Sequence, residues 1–388
     1  MTPEEFQSNL LVRPQVLGHL DTLSHFRANT SSQRASMFQN AASQFEVVSG
    51  NETAKFQTGY ETKYGKYEFN DSVRDQDVQI VDVIPKFGLS MYNDKIRTNP
   101  KYTVIYIGAD DGLIGYFTIS DWKELHAGFG YRNKMLAKTY PAPGDFVPKE
   151  QKFVTAPNHD GPLYNIGVNA NVCYIPMWDT TDDAFVISKS LAERMTHTVI
   201  SKREITIDLN TRPLNLYGDD TDYRCFPDIG MPVRDDGILI ALRKVDENSF
   251  ISDFSNDALS VPRQMHDNLV MAPPGATIVD IQVYINHREI KNVADTCYTQ
   301  LMEYYRLHEN YYVAVIDTYE KLTQQGYKCN SAFNNLVTRC KCFSYTRGGK
   351  SMILVDKKDV IKNVKLEITY AYEERIAQGY KLTGTDGS

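Results

Sequence analysis

Ile175-Pro-Met-Trp-Asp-Thr-Thr-Asp182-Asp183-Ala-Phe-Val-Ile-Ser188 decides how the rest of the chain is read. An apolar segment leads into a short polar turn, two adjacent acids, an apolar run read as a strand, and Ser188. Neighbouring side chains on a strand point to opposite faces, so one of Asp182 and Asp183 can face a site while the other faces away. Ser188, followed by Lys-Ser-Leu-Ala-Glu-Arg-Met, reads as an N-cap and a short helix, because its hydroxyl can accept a first-turn N–H. On pattern alone the acidic pair also reads as a solvated turn.

Around this stretch lie 388 residues, enough for two or three domains with sizeable cores. Apolar residues make up 42% and charged residues 23%, the balance of an ordinary globular protein. A formal net charge of −7 argues against a free-standing nucleic-acid coat or arm. It allows a chain that forms one wall of a basic channel built mainly by partners. No run of about 18 apolar residues exists, so no membrane span is expected. Met1-Thr-Pro-Glu-Glu-Phe6 lacks the basic and apolar regions of a signal peptide. Cys173, Cys225, Cys297, Cys329, Cys340 and Cys342 contain no CxxC pair, so reduced thiols in a cytoplasmic setting are expected rather than a zinc site.

Along the chain, Thr2-Pro3-Glu4-Glu5 predicts a helix start. Leu17, Leu20, Leu23 and Phe26 recur every three residues and predict a short apolar helical face, with Gly18 inside it. Residues 33–44 are polar and rich in small side chains, without the aliphatic stripe of a core helix, as in a surface helix or loop. Residues 46–160 read as β-rich: residues 78–84 alternate, 102–107 and 113–119 are apolar runs, and Asp110-Asp111-Gly112 between them reads as a hairpin turn. Residues 204–210 alternate as a strand, and 217–222 read as a polar turn. Val279, Ile281, Val283 and Ile285 fall on one strand face. Between Gly275 and Gly326 there is no Gly or Pro. Apolar and tyrosine residues from Leu301 to Leu322 recur there at helical spacing, predicting one long helix or a helical hairpin over about 293–324. Its tyrosines are expected to pack rather than stack on bases. Arg347-Gly-Gly-Lys350-Ser351 imitates the end of a phosphate loop, but Ser344 stands where that motif needs Gly.

Taken in order, several of these motifs resemble the β subunit of multisubunit DNA-dependent RNA polymerases. Pro176-Met-Trp with Asp182-Asp183-Ala-Phe-Val-Ile-Ser188 is similar to that family's Pro-Trp…Glu-Asp…Ile-(Leu/Val)-(Val/Ile)-Ser signature, whose acidic pair sits beside the catalytic magnesium. Residues 33–44 resemble Asn-Arg-Ala-Leu-Met-Gly-Ala-Asn-Met-Gln-Arg-Gln, with Arg34, Met37, Asn40 and Gln44 at matching positions; Gln33 replaces an Asn and Ser43 a second Arg. Residues 165–176 loosely resemble its Gly-Gln-Asn-(Met/Leu) strand, and 229–245 and 272–285 resemble strands of its flap. Residues 364–388 resemble the family's carboxy-proximal Gly-x-Lys signature. Ala371, Arg375, Ile376, Gly379, Lys381, Gly384 and Gly387 coincide at unbroken spacing, while Glu373 and Glu374 replace two basic residues and Thr385-Asp386 an Arg-His. The family's next Lys-Gly is absent, so a separate chain carrying that lysine is expected.

The resemblance implies an α+β, β-rich chain: an N-terminal helix with an RNA- and nucleotide-facing segment (1–46), a β-rich domain (47–162), a double-psi β-barrel closed by two segments (163–203 and 356–388), and a flap-like insertion (204–355). It implies a piece of a split, divergent β subunit like those of giant bacteriophages, acting in the cytoplasm of an infected bacterium or carried in the virion. Nucleotidyl transfer depends on positioning and charge neutralisation. The family's primary Mg2+ ligands lie on a β′-like partner, in an Asn-Ala-Asp-Phe-Asp-Gly-Asp motif that this chain lacks. By resemblance, Asp182 would hold a second magnesium, through water because its side chain is one methylene shorter than the family Glu, and Asp183 would orient the strand. Lys381 would neutralise phosphate on the RNA end or the nucleotide, and Arg34 would grip triphosphate with its planar fork. Met37, Asn40, Gln44 and Arg375 would face nucleotide and RNA. Implied partners are other β-like fragments, β′-like subunits, a promoter-specificity factor, template DNA, RNA and nucleoside triphosphates. Two other readings stand beside this one: a structural or assembly protein of a viral particle that kept the fold, and a stand-alone nuclease or phosphohydrolase built on Asp110-Asp111 or Asp219-Asp-Thr-Asp222. Retention of Arg34, Asp182 and Lys381 together separates the first reading from a scaffold, which has no electrostatic need for all three.

Overall fold

The computed structural model describes residues 19–42, 45–62, 76–86, 101–120, 122–126, 131–134, 136–137, 140–161, 163–176, 185–208, 210–245, 255–263, 265–286, 296–349, 354–356, 359–360 and 364–380. The fold mixes helix and strand, is rich in β, and contains a curled antiparallel half-barrel sheet. The expected helix start at Thr2-Pro3 lies outside the described residues.

The three-residue spacing before residue 27 yields 3-10 turns at His19–Leu23 and Arg27–Asn29 rather than an α-helix. A period of three is the period of a 3-10 helix. Leu23 is buried against Tyr164 and Ile166, whereas Phe26 is exposed. Helix α1 (Ser32–Ala42) follows.

Strands β1 (Val78–Pro85), β2 (Lys101–Gly108) and β3 (Ile114–Ser120) form an antiparallel sheet with the short strand Phe146–Val147 at its far edge. Asp110-Asp111-Gly112 makes the β2–β3 turn. Gly112 has φ 62°, and the Asp111 Oδ1 accepts the Leu113 N–H at 2.9 Å. β2 is apolar on both faces because both are covered. Val104 and Tyr106 pack with Ile119, Phe153 and Val154, while Ile105 packs with Tyr311, Val315 and Phe333.

Helix α2 (Lys189–Arg194) leads into β4 (His197–Ile207). Strands β5 (Thr211–Pro213), β6 (Ile238–Lys244) and β7 (Asp267–Met271) form a small sheet. Buried Arg243 on β6 grips Asp267 on β7 with two 2.8 Å hydrogen bonds, and also donates to the carbonyls of Ala258 and Val261 around helix α3 (Asn256–Ser260). Strand β8 (Thr277–Ile285), helices α4 (Thr299–Gln324) and α5 (Ser331–Phe343), and strand β9 (Val364–Glu374) complete the main elements.

The curled sheet has the order β4-β9-β8. β4 pairs with β9 along its whole length, from His197↔Glu374 to Ile207↔Val364. β8 flanks β9 on the other side, from Thr277↔Ala371 to Ile285↔Val364. Ile281, Val283 and Ile285 share the buried face as predicted, but Val279 does not join them. A register shift between Ile278 and Asp280 inserts one residue, so Ile278 takes the place in the core.

The apolar spacing after residue 293 yields one helix of 26 residues, about 39 Å long at 1.5 Å per residue. Leu301 and Tyr304, near its start, pack on the curled sheet. Tyr311, Val315, Ile316 and Leu322, further along, pack on the four-stranded sheet. α4 therefore spans both sheets. The Tyr311 and Thr103 hydroxyls share a 2.8 Å hydrogen bond, and Thr318 donates to Asp82 at 2.9 Å, so polar contacts fix its position on the second sheet. Among the described residues no helix is long and apolar enough to cross a membrane.

Candidate functional site

α1 begins because the Ser31 hydroxyl accepts the Arg34 backbone N–H at 3.3 Å. Ala35 and Ala42, seven residues apart and so nearly two turns, form its buried stripe. Arg34, Met37 and Asn40 are exposed, within an arc of roughly 120° on the other side. The polar, small-residue composition of 33–42 is thus that of a helix with a narrow buried edge. Gln44 lies outside the described residues.

The chain leaving α1 runs directly against α2 and the start of β4. Gly50 N–H donates to the Arg194 carbonyl at 2.8 Å, Ser49 N–H to the Thr196 carbonyl at 2.7 Å, and Val48 bridges His197. A Cβ on Gly50 would lie 2.6 Å from the Arg194 carbonyl oxygen, so only glycine permits this approach. Glu52 completes the junction. Its carboxylate pairs with Arg194 at 2.8 Å and accepts the Asn169 N–H at 2.8 Å, contacts that hold its pKa below the usual carboxylate value.

α2 is the short helix expected after the acidic pair. Ser188 is its N-cap, its hydroxyl accepting the Leu191 N–H at 3.2 Å. Residues 185–188 before it carry no strand pairing, contrary to the strand expected there, and Phe185 and Val186 are exposed. Residues 170–176, on the other flank of the acidic pair, are likewise exposed and unpaired, with Tyr174 94% exposed. Asp182 and Asp183 themselves lie outside the described residues.

His197 sits at the meeting point. It opens β4, pairs in register with Glu374 at the end of β9, and is buried. Its Nε2 lies 2.9 Å from Glu46 Oε2, and its ring meets Tyr380 edge-on at 5.7 Å between centroids. The hydrogen bond to Glu46 raises the imidazole pKa against the opposing effect of burial, helped by the charge of Glu374 and the Met195 backbone. Burial and a hydrogen bond to Glu374 push the Tyr380 phenol up to about 12. Arg375 is exposed beside Glu374, and Lys381 lies just beyond the described residues. Three chain segments distant in sequence therefore converge on His197: one leaves α1 towards Gly50, one leads from the acidic pair through α2, and one is the β9 exit. Neither His197 nor Glu46 carries a sequence pattern that marks it, because their pairing exists only once α1 and β4 are adjacent.

The other acidic clusters are spent on turns. Asp219 Oδ1 accepts the backbone N–H groups of Thr221 and Asp222 and the Thr221 hydroxyl. The Asp110 and Asp111 N–H groups both donate to Gln76. Side chains folded back on their own backbone in this way build turns. Among the described residues, no group of three His, Cys, Asp or Glu side chains could hold a metal ion. Arg347, from the phosphate-loop look-alike, pairs with Asp317 on α4, and Lys350 lies outside the described residues. The chain matches no family model and no curated protein.

Proposed function

We propose that this chain is a β-like subunit of a split, multisubunit DNA-directed RNA polymerase, in which it helps to position the nucleoside triphosphate and the RNA 3′ end. The observation that carries the reading is the junction at His197. The three segments that resemble the polymerase motifs are far apart in sequence, yet they lead into and out of one place: Glu46 stands two residues after Gln44, α2 follows the acidic pair, and Tyr380 precedes Lys381. What supports the reading is that described residues neighbouring each of the three motifs in sequence meet at His197.

In this reading the pairing of β4 with β9 joins the two barrel segments, 163–203 and 356–388, of a double-psi β-barrel, and β8, from the flap-like insertion, flanks β9. Template, RNA and partner β- and β′-like chains surround the subunit, with a promoter-specificity factor, in an infected bacterial cell or in the virion. Carboxylate oxygen suits Mg2+, so Asp182 is the residue of this chain that would hold it, with the primary ligands on the β′-like partner. When bound, the metal would supply charge neutralisation at the phosphates. This chain's own contribution is Arg34 and Lys381 as cations against phosphate, and Met37, Asn40, Gln44 and Arg375 towards nucleotide and RNA.

The test is Asp182→Ala in the complex purified with its natural partners. The expected result is DNA-templated RNA synthesis reduced at least 100-fold with the complex intact. Undiminished synthesis would place the chain among structural or assembly proteins.

A further inference from the structure

Among the described residues, His197 alone of the buried ionisable groups touches residues that adjoin candidate residues on two separate segments. Glu46 is two residues from Gln44, Glu374 is next to Arg375, and Tyr380 is next to Lys381. The α2 segment is tied in by the bond between His197 and the Met195 backbone and by the Arg194–Glu52 pair.

We propose that His197 is a positioning residue for the nucleotidyl-transfer site, fixing the segment that leaves α1, the helix of Arg34, Met37 and Asn40, against the β9 exit that carries Arg375. This rests on the polymerase reading above. Nε2 donates to the Glu46 carboxylate while the ring bears on Tyr380. Tyr380 is in turn held by Glu374, the β-ladder partner of His197. The arrangement closes a loop of contacts from His197 through Tyr380 and Glu374 back to His197. Pulling Glu46 away would loosen residues 45–52, which the Ser49 and Gly50 backbone bonds and the Glu52–Arg194 pair would still tether, and pulling Tyr380 away would loosen residues 375–380. The charged and titratable groups around the ring are Glu46, Glu374, Tyr372 and Tyr380, with Arg203 acting on Tyr372. The negative charges outnumber the cations, so the protonated imidazole is the form that holds the junction.

The experiment compares wild type, His197→Leu and His197→Gln in the complex with its natural partners. Three quantities are measured: RNA synthesis as KM for nucleoside triphosphate and kcat, its pH profile, and amide exchange over residues 45–52 and 375–380. Leu removes both polar contacts, whereas Gln keeps an N–H for Glu46. The expected result for Leu is a KM raised 10-fold or more with the complex assembled, and faster exchange in both segments. Gln restores most of the KM but lacks the wild-type decline in activity as pH rises through the imidazole titration. Equal KM, pH profile and exchange in all three proteins would overturn the proposal. Faster exchange in Leu with unchanged KM would reduce His197 to a structural role and overturn it as well. A wild-type complex that makes no RNA would overturn the polymerase reading and this role with it, while the exchange data would still decide whether His197 joins the two segments.

Discussion

The four-stranded sheet and the curled sheet are built from similar apolar strands but assembled in different ways. β2 and β3 are joined by a turn at Asp110-Asp111-Gly112, so their pairing is written in neighbouring residues. β4, β8 and β9 come from residues 197–207, 277–285 and 364–374, so each partner must be found across long stretches of chain. The comparison teaches that candidate function gathers where contacts are distant. The local sheet carries turns and packing. The curled sheet ends at the junction of His197, Glu46 and Tyr380.

The largest expected effect is Ile368→Ala, in the middle of β9 and fully buried, at about 2–5 kcal/mol of stability. Because α4 packs on both sheets, urea unfolding followed by probes in each sheet should show both losing stability together. Separate transitions would break the link between them. Next comes Tyr304→Phe. The hydroxyl donates to Asp228 at 3.0 Å in the core beneath the curled sheet, and its loss should cost about 1–3 kcal/mol in the same assay. Gly112→Ala, at φ 62°, should cost about 1–2 kcal/mol and act through the β2–β3 hairpin, leaving RNA synthesis by the complex unchanged.

The smallest effect near neutrality, and the sharpest for the comparison, is the opposite behaviour of two histidines, half-buried His159 and buried His197. Burial and nearby Lys152 lower His159 from 6.5 to about 4. An unfolded chain binds that proton more readily, so the stability tied to His159 is complete above pH 6.5 and is lost as pH falls towards 4. His197 is raised above 6.5, so its contribution is complete below pH 6.5 and is lost as pH rises through the folded-state value. Proton NMR titration should show the two resonances moving on opposite sides of 6.5, and Glu46→Gln should lower the His197 midpoint while leaving that of His159 in place.

The same contrast explains what could be read from sequence. The hairpin, the N-cap at Ser188 and the long helix α4 were legible because each rests on residues a few positions apart: a turn glycine, a hydroxyl before a helix, a helical apolar repeat. The bulge that puts Ile278 rather than Val279 into the cluster of Ile281, Val283 and Ile285 was not, because alternation along β8 says nothing about the register against β9. The 3-10 turns at His19–Leu23 and Arg27–Asn29 were read as one helical face because a spacing of three suits either helix over so short a stretch. At the candidate site, residues 33–44 read as a surface helix or loop, and the choice of helix with an Ala35–Ala42 buried edge came from packing; the contacts of Glu46 and His197 depend on a pairing 151 residues apart, from 46 to 197.

The proposed role in a polymerase active centre stands or falls with Lys381→Ala. In the complex purified with its natural partners, DNA-templated RNA synthesis should collapse in the variant while every subunit remains bound. Equal synthesis by wild type and variant would contradict the account and confine the chain to a structural role.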